Sequence, residues 1–258
     1  MSTHSTQSTG DEGQTDDVLR LEDVTKQFGN VTAVDNLSFA VREGEILGFI
    51  GPNGAGKSTT FDCVSGTMAP TDGTIYYRGE DVTGRPQHEL VKAGIARTYQ
   101  TFRPLNDRTV LENVALSQVP DSLFSRSDFR ADTEEQTREI CERVGLGDVT
   151  SQMPDELPHA GLLRLEIGRA LGTEPDLLLV DEPFAGLTTE EIERTADLFT
   201  SLRDDGMTLV VIDHNMHGLL ELVDRVIVIS FGEKIAAGTP AEIRNDPTVQ
   251  EAYLGGEL

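Results

Sequence analysis

Apolar and polar positions fall into distinct rhythms along this chain. Leu19 and Leu21, and later Leu37, Phe39 and Val41, alternate with polar neighbours, the period of strands buried on one face. Residues 45–50 (Glu-Ile-Leu-Gly-Phe-Ile) follow a turn at Gly44 and are nearly all apolar, which predicts a buried strand. A glycine-rich loop comes next, then a helix opening near Lys57, and 74–77 (Thr-Ile-Tyr-Tyr) reads as a short strand. The stretch 103–170 is predicted mostly helical with a polar interruption around 121–132. Within it, 134–144 carries Ile140 and Val144 at helical spacing and stops at Gly145. A second section starts with the strand 177–180. Thr188-Thr-Glu-Glu191 is a capping-box pattern opening a helix whose inward face is Ile192, Ala196, Phe199 and Leu202. Gly206 stops that helix, 208–212 is a strand, and 225–229 with 234–237 form a hairpin turning at Gly232. No repeat with a period of 20–50 residues is present. Strands alternating with helices predict an α/β fold with a largely parallel sheet. Residues 1–17 hold hardly any apolar side chain and are expected to be a disordered tail, with structure starting at Val18.

Charge narrows the partners. Among 258 residues there are 45 acids against 21 bases, a net charge of −24, which argues against nucleic acid or anionic lipid as a generic partner. Lysine occurs only at 26, 57, 92 and 234, every other base being arginine. Acid excess with scarce lysine predicts a surface solvated in high salt, a halophilic adaptation; an acidic binding surface is the alternative. No apolar run approaches the roughly 18–20 residues that cross a bilayer, and the N-terminus has neither the basic nor the apolar part of a signal peptide. Cys63 and Cys141 lack metal-ligand spacing, so a reduced cytosolic protein is expected. Any membrane role must come through a partner.

Two motifs carry chemistry. Gly51-Pro-Asn53-Gly54-Ala-Gly56-Lys57-Ser58 has the pattern of a phosphate-binding loop in the right setting, after a strand and before a helix. Glycines let backbone N–H groups converge on phosphate oxygens, Lys57 brings charge to the β and γ phosphates, and Ser58 offers a hydroxyl to Mg2+. Thr59 should help orient the α and β phosphates. About 125 residues on, an apolar strand ends in Asp181 and Glu182. Asp181 is placed to hold Mg2+, directly or through water, and Glu182 to orient the attacking water or accept its proton.

With these motifs in order, the chain resembles the ATP-binding subunits of ABC transporters. The resemblance implies a P-loop NTPase core with a mostly parallel sheet, an N-terminal antiparallel β subdomain, a helical subdomain at about 103–170 and a C-terminal tail from about 239, all in one domain spanning 18–258. It implies ATP and Mg2+ as ligands. Gln100, in Arg97-Thr-Tyr-Gln100, matches the glutamine-loop position that links Mg2+ to the membrane subunit. Asp181-Glu-Pro-Phe-Ala-Gly-Leu187 matches the strand running into the dimer-contact loop, and His214 the switch histidine that contacts the γ-phosphate. Phe28 sits where the family stacks an aromatic on adenine, the alternative being an ordinary core phenylalanine. The segments Gly94-Ile-Ala-Arg-Thr-Tyr-Gln100, Thr109-Val-Leu-Glu-Asn-Val114 and Arg164-Leu-Glu-Ile167, and the ending from Gly238, look like the longer cassette type of branched-chain amino acid importers. Urea-type importers and some lipid exporters share these features. The implied partners are a second cassette, two transmembrane permeases and, through them, an extracytoplasmic solute-binding protein. The implied place is the cytoplasmic face of the membrane.

One family motif departs from its pattern. The signature, normally Leu-Ser-Gly-Gly-Gln, falls on Leu157-Pro158-His159-Ala160-Gly161 when counted back from Arg164. Its serine is Pro158, and the glycine that meets the partner's γ-phosphate is Ala160. A proline near a helix start spares the helix, but one lost donor to a developing charge typically costs ~10²–10³ in rate. The expectation is a heterodimer in which the partner supplies a sound signature. The alternatives are a cassette that binds ATP with little hydrolysis as a regulatory or structural subunit, or an exporter cassette.

Overall fold

The computed structural model describes residues 17–118 and 129–252, the backbone alone over 129–133. The expected disordered tail thus lies outside the described residues, apart from Asp17, which is already the first residue of a strand. In chain order the elements are β1 (Asp17–Phe28), β2 (Val31–Arg42), β3 (Ile46–Ile50), α1 (Lys57–Val64), β4 (Asp72–Tyr77), β5 (Glu80–Asp81), α2 (Gln87–Ala93), β6 (Ile95–Arg97) and α3 (Val110–Ala115). There follow α4 (Phe129–Arg143), α5 (His159–Leu171), β7 (Leu177–Asp181), α6 (Thr189–Asp204), β8 (Thr208–Ile212), α7 (Met216–Leu222), β9 (Arg225–Ser230), β10 (Glu233–Gly238), α8 (Pro240–Asn245) and α9 (Pro247–Ala252).

Two sheets result. β2-β1-β4-β5 is antiparallel, and β10-β9-β3-β8-β7-β6 is parallel throughout except for the β9–β10 hairpin. The central strands are buried on both faces, and the period of two sends successive side chains to opposite cores. Ile46, Ile50, Leu178, Val180, Leu209 and Val211 pack under the helices. Leu47, Phe49, Leu177, Leu179, Val210 and Ile212 pack with α1 and the antiparallel sheet. Each such side chain contributes roughly 1.5–3 kcal/mol by leaving water. This is why these strands read as continuous apolar runs.

Thr188 caps α6 in a full capping box with Glu191, as its sequence predicts. The same device opens α3 (Thr109, Glu112) and α8 (Thr239, Glu242). The region 103–170 holds α3, α4 and α5. α4 starts at Phe129, inside the interval expected to be a polar interruption; 119–128 lie outside the described residues. A polar helix can run there because i,i+4 pairs such as Arg138–Glu134 (2.8 Å) support it without a wide apolar face. The parallel strands end on one edge, so the segments after β3, β6, β7 and β8 converge where such sheets offer a ligand crevice.

Candidate functional site

The loop 51–56 is wedged between strands. A Cβ on Gly51 would lie 2.3 Å from Ile229 O, and one on Gly56, at φ +103°, 2.3 Å from Ala33 O, so both positions demand glycine. Lys57 is buried, and its Nζ donates to Gly51 O (2.6 Å) and Pro52 O (3.2 Å). Burial lowers the pKa of this amine, opposed by Glu182 and then Asp181. Neutral carbonyls of its own loop hold the ammonium, which leaves its charge available to an anion. Asn53, Gly54 and Ser58 are exposed and Thr59 is half-buried. Nothing lies within 4 Å of the Cβ position of Gly54. Open space, a helix N-terminus and a lysine at its root fit a polyphosphate.

Opposite the loop, β7 ends in Asp181, buried, with Oδ2 accepting from Arg97 Nη2 at 3.0 Å. Burial raises the pKa of Asp181, and the hydrogen bond and charge of Arg97 oppose the rise. Glu182 adopts φ +52°, uncommon for a residue with a Cβ, with its N–H bonded to Ile212 O at 2.7 Å. Its carboxylate gathers two residues predicted from sequence: Gln100 Nε2 donates to Oε2 at 2.5 Å, and His214 Nε2 lies 3.0 Å from Oε1. Among the described residues no group of three or more His, Cys, Asp or Glu forms a metal cage. The Ser58 hydroxyl and Asp181 carboxylate instead suit a hard cation completed by substrate phosphates.

Three participants escaped the sequence reading. Arg97 lies three residues before Gln100 and belongs to no motif of its own, and Asp62 pairs with it. Asp213 is buried and accepts from Phe184 N and Asn215 N, each at 2.7 Å, pinning the loop after Glu182 to the turn that carries His214. Burial raises its pKa, countered by those two backbone donors. The Asp-His pair at the end of β8 was the available signal.

Phe28 ends β1 with 48% of its surface exposed, so it is not a core residue, and Lys26 Nζ lies over its ring, 5.3 Å from the centroid. The signature segment begins α5: Pro158 is the N-cap without a side-chain cap bond, and the helix is intact. Ala160, however, is only 8% exposed. It lies at helical spacing with the buried Leu163 and Ile167, on the inward face of α5. The exposed members are Pro158 and His159. His159 Nε2 sits 3.0 Å from Ala185 O and its ring 5.2 Å from that of Phe102. That imidazole joins the start of α5 to the loop after Glu182 and to the one after Gln100.

Known proteins share this arrangement. The family described as ABC transporter matches residues 34–185, and the one described as branched-chain amino acid ATP-binding cassette transporter matches 233–258. The high-affinity branched-chain amino acid transport ATP-binding protein LivG of Salmonella typhimurium is 37% identical over 249 residues, covering 92% of this chain and 98% of the relative. A crystal structure of an ATP-binding cassette of an ABC transporter in its ADP conformation aligns with TM-score 0.84 and 30% identity, over 93% of this chain and 99% of the other. A dimeric post-hydrolysis cassette bound to ADP and Pi aligns with TM-score 0.75 and 26% identity, over 86% and 98%.

Proposed function

This chain belongs to the ABC transporter family of ATP-binding cassettes, and on that footing we propose that it hydrolyses Mg·ATP to energise an importer of branched-chain amino acids or a related small polar solute. The observation that carries the reading is the gathering of Gln100 and His214 on Glu182, with Glu182 and Asp181 near enough to act on Lys57. Phe28 stacks the base. Lys57 exchanges its loop carbonyls for β and γ phosphate oxygens, and Thr59 orients the α and β phosphates. Ser58 and Asp181 would hold Mg2+, which when bound would neutralise charge on the phosphate oxygens. Glu182, steadied from both sides, orients the attacking water and takes its proton, and His214 contacts the γ-phosphate.

Among the described residues no helix is long and apolar enough to cross a membrane. In the proposed role the chain works peripherally, at the cytoplasmic face, on two permeases fed by a solute-binding protein. Gln100 stands beside a cleft of about 300 Å³ whose lining includes Tyr99, Arg103, Glu166 and Arg169. A permease segment seated there would act on Glu182 through Gln100. In a cassette pair, this chain's signature faces the partner's nucleotide. Pro158 withholds a hydroxyl there, which favours a heterodimer whose partner supplies an intact signature. A second reading, a subunit that binds ATP with little hydrolysis, is favoured by the same proline.

Leucine uptake into vesicles bearing the assembled complex tests the proposal, alongside phosphate release. Uptake driven by internal ATP and abolished by Glu182→Gln is expected. Uptake indifferent to Glu182→Gln would overturn the energising role, and robust phosphate release without leucine transport would overturn the substrate.

A further inference from the structure

Arg97, at the end of β6, keeps a side chain only 5% exposed. Its Nη1 donates to Asp62 Oδ1 (2.5 Å) and Ser65 Oγ (3.3 Å), and its Nη2 to Asp181 Oδ2 (3.0 Å). The guanidinium also lies 5.5 Å from the Phe61 ring centroid and 4.9 Å from that of Tyr99. Its Nε is buried without a hydrogen-bond partner. A buried arginine with one donor unmet is costly to keep, and what it gains here is a link between two particular carboxylates.

Those carboxylates sit on the two elements that carry the proposed cation donors. Asp62 is four residues after Ser58 on α1, so the two share one face of the helix. Holding Asp62 therefore sets the rotation of α1 and the direction of the Ser58 hydroxyl. Asp181 ends β7. Arg97 engages its Oδ2, which leaves Oδ1 to the cation. We propose that Arg97 is a positioning residue, a cross-brace that sets Ser58 and Asp181 at the separation a divalent cation requires. The planar fork matters: a lysine ammonium keeps the charge but cannot hold two carboxylates in one fixed plane. The proposal rests on the Mg·ATP reading above.

Mn2+ replaces Mg2+ in the test because free Mn2+ is read directly by electron paramagnetic resonance. The full chain in molar KCl is titrated with MnCl2 in the presence of ATP, and separately with a fluorescent ATP analogue in EDTA. Arg97→Lys should weaken Mn2+ binding by about tenfold or more, while metal-free nucleotide affinity stays within about twofold. Asp62→Asn, which frees α1 but keeps the bond to Asp181, should fall between Arg97→Lys and wild type, and it decides the matter if Arg97→Lys fails to fold. Wild-type Mn2+ affinity in the folded variants, or equal losses with and without metal, overturns the brace alone. A wild-type chain that binds neither Mn2+ with ATP nor the analogue overturns the nucleotide reading and the brace with it.

Discussion

The loop 51–56 and the segment 157–161 both lead into a helix, yet they are built under different constraints. At the loop, backbone carbonyls of neighbouring strands block any Cβ on Gly51 or Gly56, and Lys57, Asp181 and Asp213 are buried charges that need their partners. At the start of α5, Pro158 and His159 are exposed and no side chain caps the helix. A Cβ on Gly161 would meet only side chains, Leu157 Cβ at 3.2 Å and Pro158 Cδ at 3.3 Å. The chain's own packing thus dictates the loop. At the signature Leu157, Ala160 and Gly161 are buried, but the exposed Pro158 and His159 are less tightly dictated by the fold. A departure from the family pattern at Pro158 or His159 can therefore occur without harm to the hydrophobic core, and turnover is where its effect is to be measured.

The largest expected effect is on the first region. Lys57→Ala should weaken nucleotide binding by ~100-fold or more, because charge-assisted contacts are the strong ones. Pro158→Ser should leave binding within about twofold. Fluorescent-analogue titration in molar KCl compares them, and equal effects would erase the distinction.

Next comes turnover of the isolated chain. Wild type should release little phosphate, and Pro158→Ser with Ala160→Gly should raise the rate, by roughly tenfold or more given what one transition-state donor is worth. The buried position of Ala160 assigns most of the gain to Pro158→Ser. Robust, equal rates in wild type and the double variant would show that the signature is sound as it stands.

A smaller effect concerns the acidic surface common to both regions. Below about 0.1 M salt, where the Debye length is ~10 Å, a net charge of −24 repels itself. The melting temperature should rise by several degrees from there to molar KCl. A flat or falling curve would remove the halophilic explanation and leave the acidic binding surface.

The subtlest comparison uses two built-in thiols. Cys63 lies on α1 behind the phosphate loop and Cys141 on α4, both buried with thiols pushed up to about 11. The thiolate is the reactive form, so labelling at pH 8 should be slow at both and quicken as pH rises towards 11. Mg·ATP should slow Cys63 and leave Cys141 nearly unchanged, read by peptide mass spectrometry. Equal protection at both would mean the two regions open together.

Features legible in the sequence were local ones. The phosphate loop, the Asp181-Glu182 strand end and the Thr188 capping box are each complete within a few residues, since backbone geometry and a short side-chain reach decide them. The three-residue β6, short α2 and α7, and the C-terminal α8 and α9 were not individually assigned, because helices of under two turns and a three-residue strand repeat their period too few times to establish it. Tertiary structure alone decided the rest. Arg97 joins Asp62 and Asp181, 35 and 84 positions away, and no spacing rule anticipates a contact that exists only once β6 lies beside β7. His159 reaching Ala185, 26 positions on, and Ala160 turning inward likewise depend on how α5 is rotated against the core, which packing determines.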